Sequence, residues 1–397
     1  MLGLVGNIGS ATAETVIAIA MLARVYERTQ SAANLGLTAM LEALPAIALA
    51  PVIGLLLDRV DRRRVMIAAE LFNVVAVLLL SCAEPLWAIY LCAFVLSAGG
   101  AVFQPANQAM QPALLPREQL MDGACARTTL QNLRQIAAPA LGGWLACRWG
   151  FQAAVRFAAV GYALSALATA LIRTSGKAQR EETEGGLLQE ALAGWQVVRD
   201  RAPVRFVVTF QSMVCFVMAM QGPLTYVFVK EVLNSGPEVA GPMFSAAGLG
   251  GIAGGLAMAR WGGRVKDRLG LAMLTLAFDG VVLASFTMCR TPAQAIPLFS
   301  LFGVIGAVNG VVFQAVIQEE VPDALRGRVQ GSLSMLYRTV EVVSLAFGTL
   351  LCDRIGVVRV FLLAAAMEWA VALAARQLPS YRASCGASRV DLEVAAA

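Results

Sequence analysis

Residues 54–65 read Gly54-Leu55-Leu56-Leu57-Asp58-Arg59-Val60-Asp61-Arg62-Arg63-Arg64-Val65. The stretch lies between two apolar runs, so it predicts a tight turn between two helices. Its arginines form a basic cluster, and such clusters stay on the cytoplasmic side of a membrane. Asp58 can cap the next helix or pair with a cation on the opposite half of the protein. A contact of the second kind would close one face and break when that face opens; a simple topology anchor is the alternative.

The composition of the whole chain indicates a helical membrane protein. Of the 397 residues, 58% are hydrophobic and 14% are charged, whereas soluble proteins are about 25% charged. This balance excludes a cytosolic enzyme, a nucleic-acid binder and a disordered chain. The sequence contains no histidine, which is the commonest metal ligand and the usual proton relay near pH 7. We therefore expect no metal, no catalytic residues and no cofactor.

Twelve apolar stretches predict twelve membrane spans, since each span needs about 20 apolar residues. The stretches lie near 3–24, 35–57, 65–84, 86–109, 126–148, 151–172, 204–229, 241–260, 269–289, 293–317, 330–352 and 356–377. The long polar interval after the sixth stretch separates two halves of six spans. The predicted domains are an N-terminal six-helix bundle at 1–172, a cytoplasmic central loop at 173–203, a C-terminal six-helix bundle at 204–378 and a cytoplasmic tail at 379–397.

An internal repeat supports the division into halves. Val102-Phe103-Gln104 recurs as Val312-Phe313-Gln314 at an offset of 210, and Gly150 matches Gly356 at an offset of 206. Two parallel six-span halves around a midplane cavity are typical of one large class of transporters. Gene duplication without transport would leave the same trace. Most of the 31 Lys and Arg residues fall in loops on one side, which predicts that both termini are cytoplasmic.

The turn at Gly54, Asp58, Arg59, Arg62 and Arg63 resembles motif A of the major facilitator superfamily, G-x-x-x-D-R-x-x-R-R/K. The resemblance covers essentially the whole chain. It implies an all-α membrane protein in which 12 transmembrane helices form two pseudo-symmetric six-helix bundles, the major facilitator fold, in a bacterial inner membrane. In the second half Ala259 replaces the acidic residue of the motif, so only the first-half gate is expected to be complete.

A motif in the fifth span narrows the branch of the family. Pro139, Gly142 and Gly143 resemble the antiporter motif G-P-x-x-G-G, in which Ala138 replaces the leading glycine. In the family this motif marks exporters more often than importers. The loops at 115–120 and 321–329 are similar to those of the drug:proton antiporter branch, which holds macrolide-efflux and enterobactin-exporter-like proteins. The arginine of the usual span-four motif is absent, so the standard arginine-mediated proton coupling is not carried over.

Ionisable residues within spans are candidates for proton coupling, because a charge near the bilayer centre costs at least about 2.5–3.5 kcal/mol. Glu14 and Glu341 lie near mid-depth in the first and eleventh spans, and Arg134 lies on the fifth. These spans line or flank the cavity of the superfamily, so the three residues rank first, and Glu42 on the second span is intermediate. A structural ion pair within the bundle is the alternative for each.

Other polar residues in the spans complete the expected site. Glu70, Asp279 and Glu368 lie on spans that are peripheral in the family, where a structural role is favoured. The candidate cavity residues are Asn7, Gln104, Asn107, Gln131, Tyr226, Asn309 and Gln314. A few amides in an apolar cavity suit a large amphipathic solute, although helix–helix hydrogen bonding is as good an interpretation of any single amide.

These features predict a secondary active transporter that exports an amphipathic small molecule, such as a drug or a siderophore, by proton-coupled alternating access. The alternative is an uptake carrier, or a lipid or lysophospholipid flippase, of the same fold. An enzyme is disfavoured because the spans lack a catalytic constellation, and intact gating motifs argue against a receptor or scaffold. The expected partners are the amphipathic substrate, protons and the lipid bilayer, with no nucleic acid, and the expected state is a monomer.

Overall fold

The computed structural model describes residues 2–110, 120–172, 195, 198–265, 267–321 and 323–375. Over these ranges every long element is an α-helix, and none is a strand. The helices are α1 (Leu2–Thr29), α2 (Ala32–Ala48), α3 (Ala50–Arg59), α4 (Arg62–Ser81), α5 (Leu86–Met110), α6 (Leu120–Ala170), α7 (Ala202–Glu231), α8 (Pro237–Trp261), α9 (Arg268–Thr287), α10 (Pro292–Glu320), α11 (Asp323–Ile355) and α12 (Val357–Ala375). The predicted all-α class is confirmed.

The number of crossings agrees with the twelve predicted, because one long helix holds two crossings and two short helices together make another. Ten helices in the described ranges are long and apolar enough to cross a membrane. The apolar segment Thr129–Ala170 within α6 is 42 residues long, and it covers most of both the fifth and the sixth predicted spans. Gly150 interrupts it with a φ of 76°, a left-handed conformation that glycine adopts at no steric cost. Gly356 has a φ of 85° between α11 and α12, so the two repeat-related glycines make equivalent turns.

The second predicted span is not one continuous helix. The prediction was a single run at 35–57, but the structure has α2 and α3 with a break at Leu49. Pro45 lies inside α2, and Pro51 lies in the first turn of α3. Because proline has no N–H and its ring clashes with the carbonyl four residues earlier, Pro51 begins a new helix. The second span is therefore a pair of short helices.

The described residues form two compact units. Residues up to 172 and 223–248 belong to the first unit, and residues 198–222 and 249–375 belong to the second. In the first unit α1 packs along α6, and α4 packs on α5 and α6. In the second unit α9 packs on α10 and α12. The predicted domain limits stay predictions, and the predicted tail at 379–397 and most of the central loop at 173–203 lie outside the described residues.

Large apolar side chains cover the outside of the helices. Trp87, Leu274 and Leu373 are each about two-thirds exposed, as expected for side chains that face lipid. Inside the units, small residues allow helices to approach closely, as at Gly254 of α8, where an added Cβ would lie 2.6 Å from the Val304 carbonyl oxygen. Small residues at helix contacts are typical of membrane proteins. The chain is therefore a multi-pass membrane protein.

Candidate functional site

Three of the predicted coupling residues gather in the first unit. The Nη1 atom of Arg134 on α6 donates to the Ala11 carbonyl at 2.9 Å and to the Thr15 hydroxyl at 3.0 Å. These partners lie on α1 on either side of Glu14, whose own side chain is exposed. Glu42 on α2 lies close enough to interact electrostatically with Glu14. The structure thus brings two acids and one guanidinium together.

Gly100 on α5 forms another side of this group. A Cβ added there would lie 3.4 Å from Glu14 Oε1, so the carboxylate approaches the α5 backbone. Ser97, one turn earlier, donates a hydrogen bond to the Glu42 carbonyl. The stretch Ser97–Gly100 lies near the position of the span-four motif whose arginine is absent. It contacts the Glu14 side chain and the Glu42 backbone.

Glu341 belongs to the second unit and already has a partner. Arg338 Nη1 lies 3.0 Å from Glu341 Oε2 on the same helix, α11. Both side chains are partly exposed, at 53% for Arg338 and 33% for Glu341. The sequence analysis did not rank Arg338, although an arginine and a glutamate three residues apart on a helix face each other. Of the two acids ranked first, Glu341 is thus in a local ion pair, which is the alternative interpretation given to it.

The arginines of the turn at 54–65 hold helix ends together. Arg62 Nη1 donates to the Ala109 carbonyl at the end of α5, at 3.0 Å. Arg63 Nη2 donates to the Ala170 carbonyl at the end of α6, at 2.6 Å. The last carbonyls of a helix lack intrahelical partners and carry partial negative charge, so cations bind well there. Arg62 and Arg63 therefore connect the start of α4 to two other helices.

The structure describes the other residues of the turn at 54–65 only in part. Asp61 caps α4 by accepting a hydrogen bond from the Arg63 backbone N–H at 2.9 Å. Capping was the role considered for Asp58, which lies within α3 three residues earlier. The Arg59 side chain is exposed. The Asp58 side chain and the packing of Gly54 lie outside the part of the chain that is described, so the proposed gate contact of Asp58 stays a prediction.

Removing the Arg63 side chain should destabilise the first unit. Arg63→Ala deletes the bonds to Ala170 and to the Thr169 carbonyl, and hydrogen bonds to charged groups contribute about 1.5–3 kcal/mol each. Because Arg63 is only half-buried, we expect a loss of about 1–2 kcal/mol in the free energy of unfolding. The midpoint of unfolding in detergent measures it. Arg64→Ala, at an exposed neighbour, is the control. Equal shifts of the unfolding midpoint in both variants would show that the Arg63 hydrogen bonds do not stabilise the helix ends.

The predicted antiporter motif lies where α6 meets two other helices of the first unit. A Cβ added to Gly142 would lie 3.1 Å from Val16 Cα on α1. One added to Gly143 would lie 3.1 Å from Gly241 Cα on α8, and one added to Gly241 would meet the Pro139 carbonyl oxygen. The helix backbones therefore approach as closely as glycine allows, as small residues permit at helix contacts in membrane proteins.

The candidate cavity residues divide between the units. Asn7, Gln104, Asn107, Gln131 and Tyr226 lie in the first unit, and Asn309 and Gln314 lie in the second.

Several of these side chains already have defined roles. Asn309 accepts a hydrogen bond from the Thr275 hydroxyl at 2.8 Å, so it links α9 and α10. Tyr226 packs edge-on against Tyr26, with ring centroids 6.0 Å apart, and its buried hydroxyl has no partner among the described residues. The Asn107 amide nitrogen is likewise buried without a described acceptor. Asn107 and Tyr226 thus each keep a polar atom that no described residue satisfies, and Asn309 fits helix–helix bonding.

Comparisons with known proteins agree with this architecture. The family model described as Major Facilitator Superfamily matches residues 3–343. The chain is 25% identical to "Macrolide efflux protein A" of Streptococcus pyogenes over 93% of both proteins. It is 27% identical to "Multidrug efflux pump Tap" of Mycobacterium tuberculosis (strain ATCC 25618 / H37Rv), over 93% of this chain and 90% of that protein.

Solved structures share the fold. The nucleoside transporter NupG is similar with a TM-score of 0.72 and 14% identity, over 95% of this chain and 98% of that one. A bacterial homologue of the iron transporter ferroportin, solved in an inward-facing state, has a TM-score of 0.72 and 14% identity over 94% of this chain and 97% of that one. At this identity the likeness concerns the fold alone.

Proposed function

We propose, since this chain belongs to the Major Facilitator Superfamily, that it is a secondary active transporter that exports an amphipathic small molecule. The substrate class is a drug, a siderophore or a similar metabolite. One observation carries the direction of transport: relatives aligned over 93% of this chain are named for efflux. The chain acts as a monomer with both termini in the cytoplasm, and it has no enzymatic activity.

A proton gradient drives the export in this proposal, and Glu14 carries the proton. Arg134 donates hydrogen bonds to Ala11 and Thr15, which lie on either side of Glu14 in α1, and Glu42 lies nearby. A nearby cation favours the charged form of a carboxyl, whereas a nearby acid favours its protonated form. Protonation changes the charge of this group by one unit, so it changes the affinity for an amphipathic solute. The mechanism is alternating access, in which Asp58 helps to close the cytoplasmic side.

Transport by purified protein in liposomes tests the proposal. With an acidic lumen, a proton-coupled exporter moves its substrate inward as protons leave, whichever way it is inserted. We expect radiolabelled erythromycin, used as the probe, to accumulate in the lumen and to leak out when a protonophore collapses the gradient. Movement of the probe out of the acidic lumen would indicate an uptake carrier, and flux that ignores the gradient would refute proton coupling.

A lipid or lysophospholipid flippase is the second candidate, and one feature of the first unit favours it. An apolar cavity of about 510 Å³ lies among α3, α4 and α5, where its lining includes Leu56, Phe72 and Val102. Arg64 also lines it, so an acyl chain and an anionic head group would both find a complement. The same liposomes, loaded with a fluorescent lysophospholipid, distinguish the candidates. Translocation that Arg64→Ala slows would favour the flippase.

A further inference from the structure

Two acidic side chains are buried against each other in the second unit, apart from the candidate site. Asp279 on α9 and Glu368 on α12 are both fully buried. Gln221 on α7 donates its amide N–H to Glu368 Oε1 at 3.2 Å. The other Glu368 oxygen and both Asp279 carboxylate oxygens have no donor among the described residues. Three buried carboxylate oxygens of the two acids therefore lack a hydrogen-bond donor among the described residues.

The residues next to the two acids pack α9 closely against α12. Gly280 follows Asp279, and a Cβ added to it would lie 2.7 Å from the Nε1 atom of Trp369, the residue after Glu368. That indole N–H donates to the Ala277 carbonyl at 2.9 Å. Helices α9 and α12 thus touch at the level of the two acids, and the contact separates them from the surface.

The charges around the pair do not compensate two carboxylates. Each acid is the charged neighbour of the other, and α7 contributes the neutral Gln221. In the described residues, neither acid is paired with an arginine or lysine. An isolated buried ion costs several kcal/mol even after relaxation, and two adjacent carboxylates also repel each other. One proton removes a charge and supplies the missing O–H donor, so the singly protonated pair is the form that burial favours.

The first unit has a related arrangement at the same position of the repeat. Glu70 on α4 is fully buried, and it accepts a hydrogen bond from the Ser165 hydroxyl at 3.0 Å. Ser10 on α1 lies beside the same carboxylate. Glu70 and Asp279 are 209 residues apart, close to the offsets of 206 and 210 found in the sequence repeat.

The other members of the two groups correspond in the same way. Ser10 and Gln221 are 211 residues apart, and Ser165 and Glu368 are 203 apart. Each unit thus places an acid between the same two neighbouring helices. The hydroxyl that serves the acid in the first unit is replaced by a second carboxyl in the second unit. A carboxyl can replace a hydroxyl as hydrogen-bond donor only when it carries a proton.

We propose that Asp279 and Glu368 form a proton-binding site that holds one proton between two carboxyl groups. The site is separate from the proposed coupling group at Glu14 and depends on neither the substrate nor the direction of transport. Its proton joins α9 to α12 by an O–H···O bond. Loss of the proton leaves two buried negative charges and weakens this contact.

Unfolding of the full chain in detergent, followed from pH 5 to pH 9, tests the site. Unfolded carboxyls titrate near pH 4, so above that pH the folded protein holds one more proton than the unfolded chain. Stability therefore falls as pH rises, by about tenfold in the ratio of folded to unfolded protein per pH unit for one proton. We expect Asp279→Asn combined with Glu368→Gln to remove this part of the pH dependence. Glu84→Gln, at an exposed acid, is the control and should behave as wild type.

If the stability of the wild type and of the double variant changes with pH by the same amount, the proposed proton site is wrong. If the double variant does not fold, the infrared C=O absorption of protonated carboxyls gives a second measurement. We expect Glu368→Gln or Asp279→Asn to lose one such absorption near neutral pH, and spectra identical to wild type would refute the shared proton. A midpoint that responds to Na⁺ in place of choline, at constant pH, would instead assign the site to a metal cation.

Discussion

Replacing Glu14 by glutamine should abolish gradient-driven transport while leaving the protein folded. A pH difference of one unit is worth about 1.4 kcal/mol per proton, which can sustain about tenfold accumulation of the probe when one proton is exchanged for each substrate molecule. Glutamine cannot release a proton, so the ratio across the membrane should fall to that of liposomes without the protein. Because the Glu14 side chain is exposed and Arg134 is held by Ala11 and Thr15, the change should cost little stability.

Glu27→Gln provides the matched control, because Glu27 is an exposed acid at the other end of the same helix. It should transport as the wild type does. Glu341→Gln should have a smaller effect than Glu14→Gln, since Glu341 is already paired with Arg338. If Glu14→Gln accumulates erythromycin in proportion to the gradient, as the wild type does, Glu14 is not the coupling group.

Gly241→Ala should strongly impair transport. The added methyl group would meet the Pro139 carbonyl oxygen and the Gly143 backbone of α6, and these backbone atoms cannot swing away as a side chain can. Overpacking of this kind costs about 1–3 kcal/mol. The cost falls on whichever conformation contains this contact. We expect at least a tenfold loss of transport rate, because about 1.4 kcal/mol changes the population of that conformation tenfold.

Gly255→Ala is the control for Gly241→Ala. Gly255 lies on the same helix, and an added Cβ there would have no atom within 4 Å. It should leave both the transport rate and the midpoint of unfolding unchanged. Comparable transport by the Gly241 and Gly255 variants would show that the close contact of α6 with α8 has no part in the transport cycle.

Much of the fold could be predicted from the sequence because membrane spans are set by length and hydrophobicity. The sequence repeat that pairs Gly150 with Gly356 also agrees with the structure, in which both glycines have a positive φ. The break at Leu49 was missed because the residues around Pro45 and Pro51 remain apolar. Hydrophobicity does not register a missing backbone N–H.

The sites were harder to predict because their contacts join distant parts of the chain. The sequence indicated Arg134, but its bonds to Ala11 and Thr15 cross 119 to 123 residues. Asp279 and Glu368 were assigned structural roles because their spans are peripheral. Only the structure places the two carboxyls together with no counter-charge from the described residues.

The two left-handed glycine turns limit where the protein can be labelled. At Gly150 and at Gly356 a single residue joins two consecutive membrane crossings. An epitope or protease site inserted there would force apart two helices whose ends are only one residue from each other. Reporters for mapping topology belong instead in the longer connection from Val232 to Gly236, where Asn234 also has a positive φ. Within it, Asn234 is the exposed residue, and exposed positions in connections tolerate insertions best.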